Sequence, residues 1–525
     1  MDTIFLNIKE ASNWASQYLG RNVSTSNISY LLNYGRISKY IQDGNTLLSK
    51  EELEKYYTTL YQREQNWKKK LGDDLNWDLS FDNLTERETT KHVHRLHPYK
   101  GKFIPQLVQY FLDEHTDSFK QEVYFHKGDI VLDPFCGSGT TLVEANELGI
   151  NAIGIDVSSF NTLISNCKVM NYNLQELKFD IDNITNNFQN FVSSRNNIIA
   201  FDKELTDKLY SYNNTYFPVP DFKRMVQQKH INAQEYGIKK SEEFLPIYNS
   251  LLKKYNITLY QQYQETFLYK WYIKSVREEI DFIFEEIKKV SNNDNKKILT
   301  IILSRTIRSC RATTHSDLAT LKEPVTTPYY CTKHGKICKP LFSILKWWQT
   351  YSKDTLKRLE EFANIKTNTI QLCLNGDSRE VNIIKEISQN RNLSNIFKNR
   401  KIQGVFSSPP YIGLIDYHEQ HAYAYDLFGF KRNDNLEIGP LFKGQGTEAK
   451  KSYVDGIAGV LNNIKQFLVE DYNVFLVAND KYNLYPAIAE KASMKIVNQF
   501  KRPVLNRTER DKSAYSEIIF NLKKQ

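Results

Sequence analysis

The chain has 525 residues, 70 Lys+Arg against 61 Asp+Glu and a net charge of +9. That length exceeds one compact core, so two or three domains are expected, and the basic balance suits a polyanionic partner. A mean hydropathy of -0.54, no apolar run of membrane-spanning length, no signal-like start at Met1-Asp-Thr-Ile4 and six scattered cysteines exclude a membrane-embedded or disulfide-scaffold protein and predict a reducing cytoplasm.

Ile8 to Leu19 puts Ile8, Ala11, Trp14, Ala15, Tyr18 and Leu19 on one helical stripe, and Gly20-Arg-Asn22 turns the chain into a second short helix from Ser24 or Thr25. Residues 37–48 carry Asp43-Gly44, a strong hairpin signal, before Ser49-Lys-Glu-Glu52 opens a third helix in the manner of a capping box. Helix, turn, helix, hairpin, helix resembles the winged helix-turn-helix of the MerR and excisionase type, which reads DNA, and residues 1–66 are expected to form it. The competing reading is a small helical cap that never touches DNA. The charged run Arg63 to Lys70 leads into a linker over 67–91.

Within 92–170, Asp129-Ile-Val-Leu-Asp133-Pro-Phe-Cys-Gly137-Ser-Gly139-Thr140-Thr141 reads as a strand ending in an acid, a glycine turn and a helix start, with Gly149 as the helix stop. Ala152-Ile-Gly-Ile-Asp156 is a second short strand ending in a carboxylate. In an open α/β sheet ligands sit beyond the carboxyl ends of the strands, and an acid about twenty residues after the glycine turn takes ribose hydroxyls. A P-loop needs a lysine after its last glycine, and a dinucleotide fingerprint needs a third glycine. Gly137-Ser-Gly139-Thr-Thr-Leu142 has neither, which suits a cofactor without a polyphosphate.

Residues 171–365 interrupt this sheet with mostly helical, tyrosine-rich sequence, and the polar stretch Ser291 to Lys297 predicts a loop. Arg305, Arg308 and Arg311 recur at helical spacing and are candidate DNA-phosphate contacts, against the plainer reading of a solvated face. Cys331-x2-His334-x3-Cys338, with Cys310 upstream, has the ligand types of a structural zinc site. Its spacing is irregular, reduced buried thiols are the preferred reading, and no metal is assigned. From residue 366, Ile370 to Leu374 runs into Asn375-Gly-Asp377, a third carboxylate for the same sheet edge, and Gly404-Val-Phe406 runs into Ser408-Pro409-Pro410-Tyr411. Two prolines and an aromatic at a strand end make a rigid corner with free carbonyl oxygens, a hydroxyl and a ring, suited to one flat amino-bearing base.

Asp133-Pro-Phe-Cys-Gly-Ser-Gly-Thr-Thr141 together with Ser408-Pro-Pro-Tyr411 resembles the paired cofactor and catalytic motifs of the S-adenosylmethionine-dependent DNA amino-methyltransferases, especially the cytosine-N4 branch, over 92–170 and 366–525. His97-Pro-Tyr-Lys-Gly-Lys102-Phe103-Ile-Pro105 resembles the segment of that family that closes over the methionine part of the cofactor. The resemblance implies an α/β fold: a Rossmann-like class I methyltransferase sheet, a large mainly helical insert at 171–365 as candidate target-recognition region, and the N-terminal winged helix-turn-helix. It implies S-adenosylmethionine held by Lys102, Phe103, Asp133, Pro134, Phe135, Gly137, Gly139, Thr140, Asp156 and Asp377, with Asp156 on the ribose and Asp377 on the adenine amino group.

A base inside a duplex cannot offer its amino nitrogen to a methyl donor, so the family flips it out. Ser408, Pro409, Pro410 and Tyr411 are the catalytic candidates: the Tyr411 ring to stack the base, the Ser408 hydroxyl and Pro409 carbonyl to draw its amino hydrogens. The implied substrate is double-stranded DNA, the implied product N4-methylcytosine, and the implied setting a restriction-modification or defence system with a separate endonuclease. Three alternatives stay open. Adenine-N6 methylation is the nearest, since Asp or Asn in place of Ser408 usually goes with adenine. RNA methylation and a non-catalytic DNA-binding regulator are the others, and the intact set Asp133, Gly137, Gly139, Asp156, Ser408 and Tyr411 weighs against the last.

Overall fold

The computed structural model describes residues 4–525 other than 21, 34, 43, 73–74, 82–83, 262–265, 318–320, 389–393, 397–400 and 505–513, and not the side chains of 59–68. Twelve strands are described: β1 Phe5–Asn7, β2 Tyr40–Gln42, β3 Asn45–Ser49, β4 Ile130–Asp133, β5 Asn151–Asp156, β6 Tyr329–Cys331, β7 Lys336–Cys338, β8 Gln371–Asn375, β9 Ile402–Ser407, β10 Leu468–Ala478, β11 Met494–Val504 and β12 Tyr515–Lys524.

Seven of them form one sheet in the order β11-β12-β10-β9-β4-β5-β8. Every pairing is parallel except those of β12, which lies antiparallel between β10 and β11. This is the Rossmann-like methyltransferase sheet that the motifs imply. Its central strands are apolar on both faces, as a parallel sheet covered twice requires. Ile130, Leu132, Val405 and Leu476 face one apolar layer, and their neighbours Val131, Phe406 and Phe475 face the other.

The stretch 171–365 is mainly helical: Leu174–Ser193, Asn196–Tyr216, Ala233–Lys254, Lys274–Lys289, Asn293–Ser309 and Leu345–Ala363 are its longer helices, with the hairpin β6–β7 between the last two. Its buried side chains run without a break into the layer that contains Val131 and Phe406, so it shares the core of one sheet face. The expected loop at Ser291 to Lys297 is instead a helix start. Asn292 caps it, its side-chain oxygen accepting from the backbone N–H groups of Asp294 (2.9 Å) and Asn295 (3.2 Å). A polar run with an asparagine at its head satisfies orphan amides as well as it makes a loop.

At the N-terminus, helices Ile8–Leu19 and Thr25–Asn33, strands β1–β3 and helix Lys50–Leu71 enclose a separate small core of Ala11, Ala15, Ile28, Leu31, Leu48 and Leu53. The expected turn residue Asp43 lies outside the described residues; Gly44 beside it has φ 75°. Ser49 caps the third helix, but Glu52 does not close the box. Its carboxylate accepts from the backbone N–H of Ser38 at 2.6 Å and so ties that helix to the approach to the hairpin. In the segment expected as linker, the Asn76 N–H donates to the Lys501 carbonyl (2.9 Å), and Arg502 donates to the Leu79 carbonyl (3.1 Å). That segment is docked on the edge strand β11. No described helix is long and apolar enough to cross a membrane.

Candidate active site

The chain runs β4, β5, β8 toward one edge of the sheet and β9, β10 toward the other, so the strand order reverses between β4 and β9. A cleft opens beyond the carboxyl ends of these strands, where α/β sheets hold ligands, and encloses about 830 Å³ including its mouth. After β4 the chain turns through Pro134 to Gly139. Gly139 adopts the left-handed conformation (φ 75°) that starts the helix Thr140–Glu147. Gly137, also left-handed at φ 52°, lies so close to Tyr99 that a Cβ there would sit 3.1 Å from its hydroxyl. The turn is therefore a cradle that only glycine leaves open.

Asp156 ends β5 in the cleft. Its carboxylate accepts from the Gly137 N–H (2.8 Å), the Ser158 N–H (2.8 Å) and the Asn161 amide (3.1 Å). Burial pushes its carboxyl up to about 6, while those hydrogen bonds pull the other way. Asp377, after β8, lines the same cleft in a two-pronged pair with Arg379, whose Nε lies 2.9 and 3.0 Å from the two oxygens and whose Nη2 lies 2.5 Å from one. Lys102 and Phe103 form part of the wall. The Lys102 ammonium donates to the His94 carbonyl (3.0 Å), burial lowers it to about 8, and Phe103 meets Phe406 edge-on. Pro134, Phe135, Gly137 and Thr140 line the cleft as well, and from β9 come Ser408 and Pro410.

Four expected residues are absent from the cleft lining: Gly139, whose left-handed backbone serves the turn, and Asp133, Pro409 and Tyr411. Asp133 is 1% exposed and does not reach the cleft; its carboxylate accepts from the Ser407 hydroxyl at 2.5 Å, and burial pushes it up to about 6. It straps the end of β4 to the end of β9 and so sets the distance between glycine turn and proline corner. Pro409 is outside the cleft lining. Tyr411 is too, its hydroxyl donating to Glu517 (2.8 Å), which also accepts from Arg502 Nε (3.0 Å). The ring is thus braced from the β11–β12 side.

The arginine row is corrected. Arg305 is 6% exposed, ion-paired with Asp354 at 2.6 Å and stacked on Tyr351, so it faces inward. Arg311 is 8% exposed, its Nε donating to the Arg308 carbonyl and its guanidinium lying over Tyr423. Arg308 alone of the three is partly exposed. After burial, the charges of Arg308 and Arg311 are what lower the Lys100 ammonium, which places these cations near the segment that walls the cleft.

Other wall residues were not singled out from the sequence. Tyr99 stacks between Tyr417 and His421, with ring centres 5.9 Å apart in each pair. Glu437 lines the cleft, accepts from the backbone N–H groups of Tyr417 (3.2 Å) and His418 (2.8 Å), and pairs with the His418 ring. Beneath the glycine turn, the fully buried Lys168 donates to the Ser138 carbonyl at 2.5 Å. Tyr99 sits inside the His97–Pro105 motif and was within reach of sequence reading; Tyr417, Glu437 and Lys168 have no local pattern to mark them.

Residues 27–166 match the DNA methylase family, and 123–256 match the RMKL-like methyltransferase domain. Type II methyltransferase M.MjaII of Methanocaldococcus jannaschii is 48% identical over 521 residues, covering 98% of this chain and 96% of that protein. The chain belongs to the type II DNA methyltransferases. Type II methyltransferase M.BsoBI of Geobacillus stearothermophilus is 33% identical over 128 residues (24% of this chain, 21% of that one), and M.MvaI of Kocuria varians is 37% identical over 100 residues (19% and 20%). The methyltransferase uses S-adenosylmethionine and acts on DNA. The donor set suits that cofactor: carboxylates for hydroxyl and amino groups, a glycine cradle, and no P-loop lysine for a polyphosphate.

Proposed function

We propose that the enzyme transfers the methyl group to the exocyclic N4 of a cytosine flipped out of a specific duplex site. The observation that carries this reading is that Ser408 and Pro410 line the same cleft as the glycine turn, Asp156 and Asp377, so a base at the proline corner faces the cofactor-binding side. S-adenosylmethionine supplies an electrophilic methyl group on a sulfonium. Asp156 would accept from the ribose hydroxyls and Asp377 from the adenine amino group. The protein's remaining task is to position the base and make its nitrogen a better nucleophile.

The amino lone pair is delocalised into the base ring. Acceptors that draw both amino hydrogens favour a pyramidal nitrogen with its lone pair free. The Ser408 hydroxyl donates to the Val477 carbonyl (3.4 Å), which leaves its oxygen lone pairs to accept. Serine makes this contact without the charge of an aspartate, which supports cytosine over adenine as the target. Nucleoside digests of DNA from cells expressing the chain are expected to contain N4-methylcytosine. N6-methyladenine as the sole product would overturn the base assignment and leave the methyl transfer standing.

For DNA engagement, the N-terminal unit is read as the winged helix-turn-helix. A groove between it and the helical insert is lined by Tyr30, Arg36, Lys223 and Lys333, a cationic path that supports recognition split between the two. Deleting residues 1–66 should then weaken target binding more than non-target binding, by about 1–3 kcal/mol per lost base contact, and leave cofactor binding intact. Arg308→Ala should weaken all duplexes alike and reduce the salt dependence by roughly 0.9 in log–log slope. Titrations at several salt concentrations separate the two effects. Unchanged site preference in the truncated enzyme would assign specificity to the insert.

A further inference from the structure

The hairpin β6–β7 brings together four side chains that methyl transfer does not use. Cys331 ends β6, His334 stands in the turn and Cys338 ends β7, while His315 arrives from the segment after helix Asn293–Ser309. One donor atom from each lies within 4.8 Å of every other. His334 Nδ1 is 3.3 Å from Cys331 Sγ and 3.5 Å from Cys338 Sγ, and His315 Nδ1 is 3.7 Å from Cys331 Sγ.

These separations suit a tetrahedral metal ion. Zinc takes thiolate sulfur at about 2.3 Å and imidazole nitrogen at about 2.0–2.1 Å in tetrahedral array, which sets the sulfur–nitrogen edge at about 3.6 Å. The three measured edges bracket that value. Two thiols and two imidazoles are also a common zinc donor set. Cys310, the fourth candidate in the sequence, is buried at the end of helix Asn293–Ser309 and is not in the group. All four ligands belong to described residues, and both cysteines are free thiols.

The geometry points to a structural zinc site formed by His315, Cys331, His334 and Cys338. The fold also has a use for one. Two strands of three residues each are too short to hold a hairpin by themselves. One side of this hairpin is anchored: Asn213 brackets Ile337 with two hydrogen bonds of 2.9 Å, and Tyr330 packs over Gly237, where a Cβ would come within 2.1 Å of the ring. On the other side, contacts from the His315 segment include the Tyr329 hydroxyl, 2.7 Å from His315 Nδ1, and a Ser316–Thr332 hydroxyl pair at 3.2 Å. A zinc ion there would cross-link that segment to the hairpin and fix the turn that carries Lys333 into the groove beside the N-terminal unit. With its proton on Nε2, His315 presents to the Tyr329 hydroxyl the same Nδ1 lone pair that a metal would take. Loading must therefore turn that hydroxyl away, while it still accepts from the His315 N–H (3.2 Å).

The site is independent of which base is methylated, and its test reads metal rather than activity. Full-length protein expressed in zinc-replete medium and purified without chelator should carry about one zinc per chain by mass spectrometry of the metal. Cys331→Ser with Cys338→Ser should lower that content at least about tenfold, and Cys310→Ser should not. Cobalt in place of zinc should show the intense d–d bands of a tetrahedral ion and thiolate-to-cobalt charge transfer. Because the double serine variant risks misfolding, His315→Ala and Tyr329→Phe give a second measure against a competing chelator. The first should weaken zinc retention about tenfold or more, and the second should preserve or strengthen it. Wild-type protein with less than about a tenth of a zinc per chain after reconstitution, unchanged zinc in the double serine variant, or a Cys331–Cys338 disulfide peptide from the purified protein would each overturn the site.

Discussion

Asp156→Ala is expected to weaken S-adenosylhomocysteine binding about a hundredfold. The carboxylate is the natural acceptor for two ribose hydroxyls, and two charge-assisted hydrogen bonds are worth roughly 2–3 kcal/mol, which converts to that ratio. The same residue gives a pH signature. Its carboxyl is pushed up to about 6 by burial, so the cofactor-free protein takes up a proton there as the pH falls through 6. Hydrogen bonds from ribose favour the ionised form, so binding expels that proton. Affinity should therefore be full above pH 7 and decline below about 6, in the sense linkage requires. Asp156→Asn cannot titrate and should show a weak but flatter profile between pH 5 and pH 8. Calorimetric titrations across that range decide the matter: wild-type affinity in the alanine variant would take Asp156 out of the cofactor site. The carboxylate already accepts three hydrogen bonds from Gly137, Ser158 and Asn161, so the thermal stability of the variants must be followed alongside.

The parts of this fold that sequence reading reached are those in which one short segment carries the whole physical reason. A strand ending in an acid, then two glycines, then a helical run reads as strand, turn and helix, and Gly137 and Gly139 take the left-handed conformations of that turn. Asp156, Asp377 and Ser408 were placed together because each ends a strand of one parallel sheet, whose topology brings those ends to one edge. What was missed depends on contacts between distant segments. Asp133 reads as a cofactor ligand by position, yet its hydrogen-bond partner, Ser407, lies 274 residues away. The arginine row at 305, 308 and 311 suggested phosphate contacts or, more plainly, a solvated face, but the helix that carries it buries Ile298, Ile301, Ile302 and Ile307 together with Arg305. Those isoleucines were a legible warning. Glu437 and Tyr417 come from the irregular chain after Tyr411, where no periodicity marks a residue as lining anything. His315 lies 16 residues from Cys331, beyond the short spacing by which paired ligands are recognised.

Ser408→Ala is expected to slow methyl transfer about a hundredfold at saturating cofactor and leave S-adenosylhomocysteine affinity unchanged. Removing one preorganised hydrogen-bonding group from a reacting centre costs on the order of 10²–10³ in turnover, about 2.7–4 kcal/mol. Ser408 is such a group if its oxygen accepts from the target amino group: it stands in the cleft wall, its proton directed to the Val477 carbonyl. Tyr411 separates binding from chemistry at the same corner. Tyr411→Ala removes the ring and should cost about 1–3 kcal/mol of base stacking, seen chiefly as weaker DNA binding. Tyr411→Phe keeps the ring and loses only the hydrogen bond to Glu517, which retains Arg502, so it should stay close to wild type. Single-turnover tritium transfer into duplex DNA reads the first effect, and DNA titration of the cofactor-loaded enzyme reads the second. A wild-type transfer rate in Ser408→Ala would remove the hydroxyl from the chemistry. Equal losses in Tyr411→Phe and Tyr411→Ala would show that the brace to Glu517, and not the face of the ring, is what the corner requires.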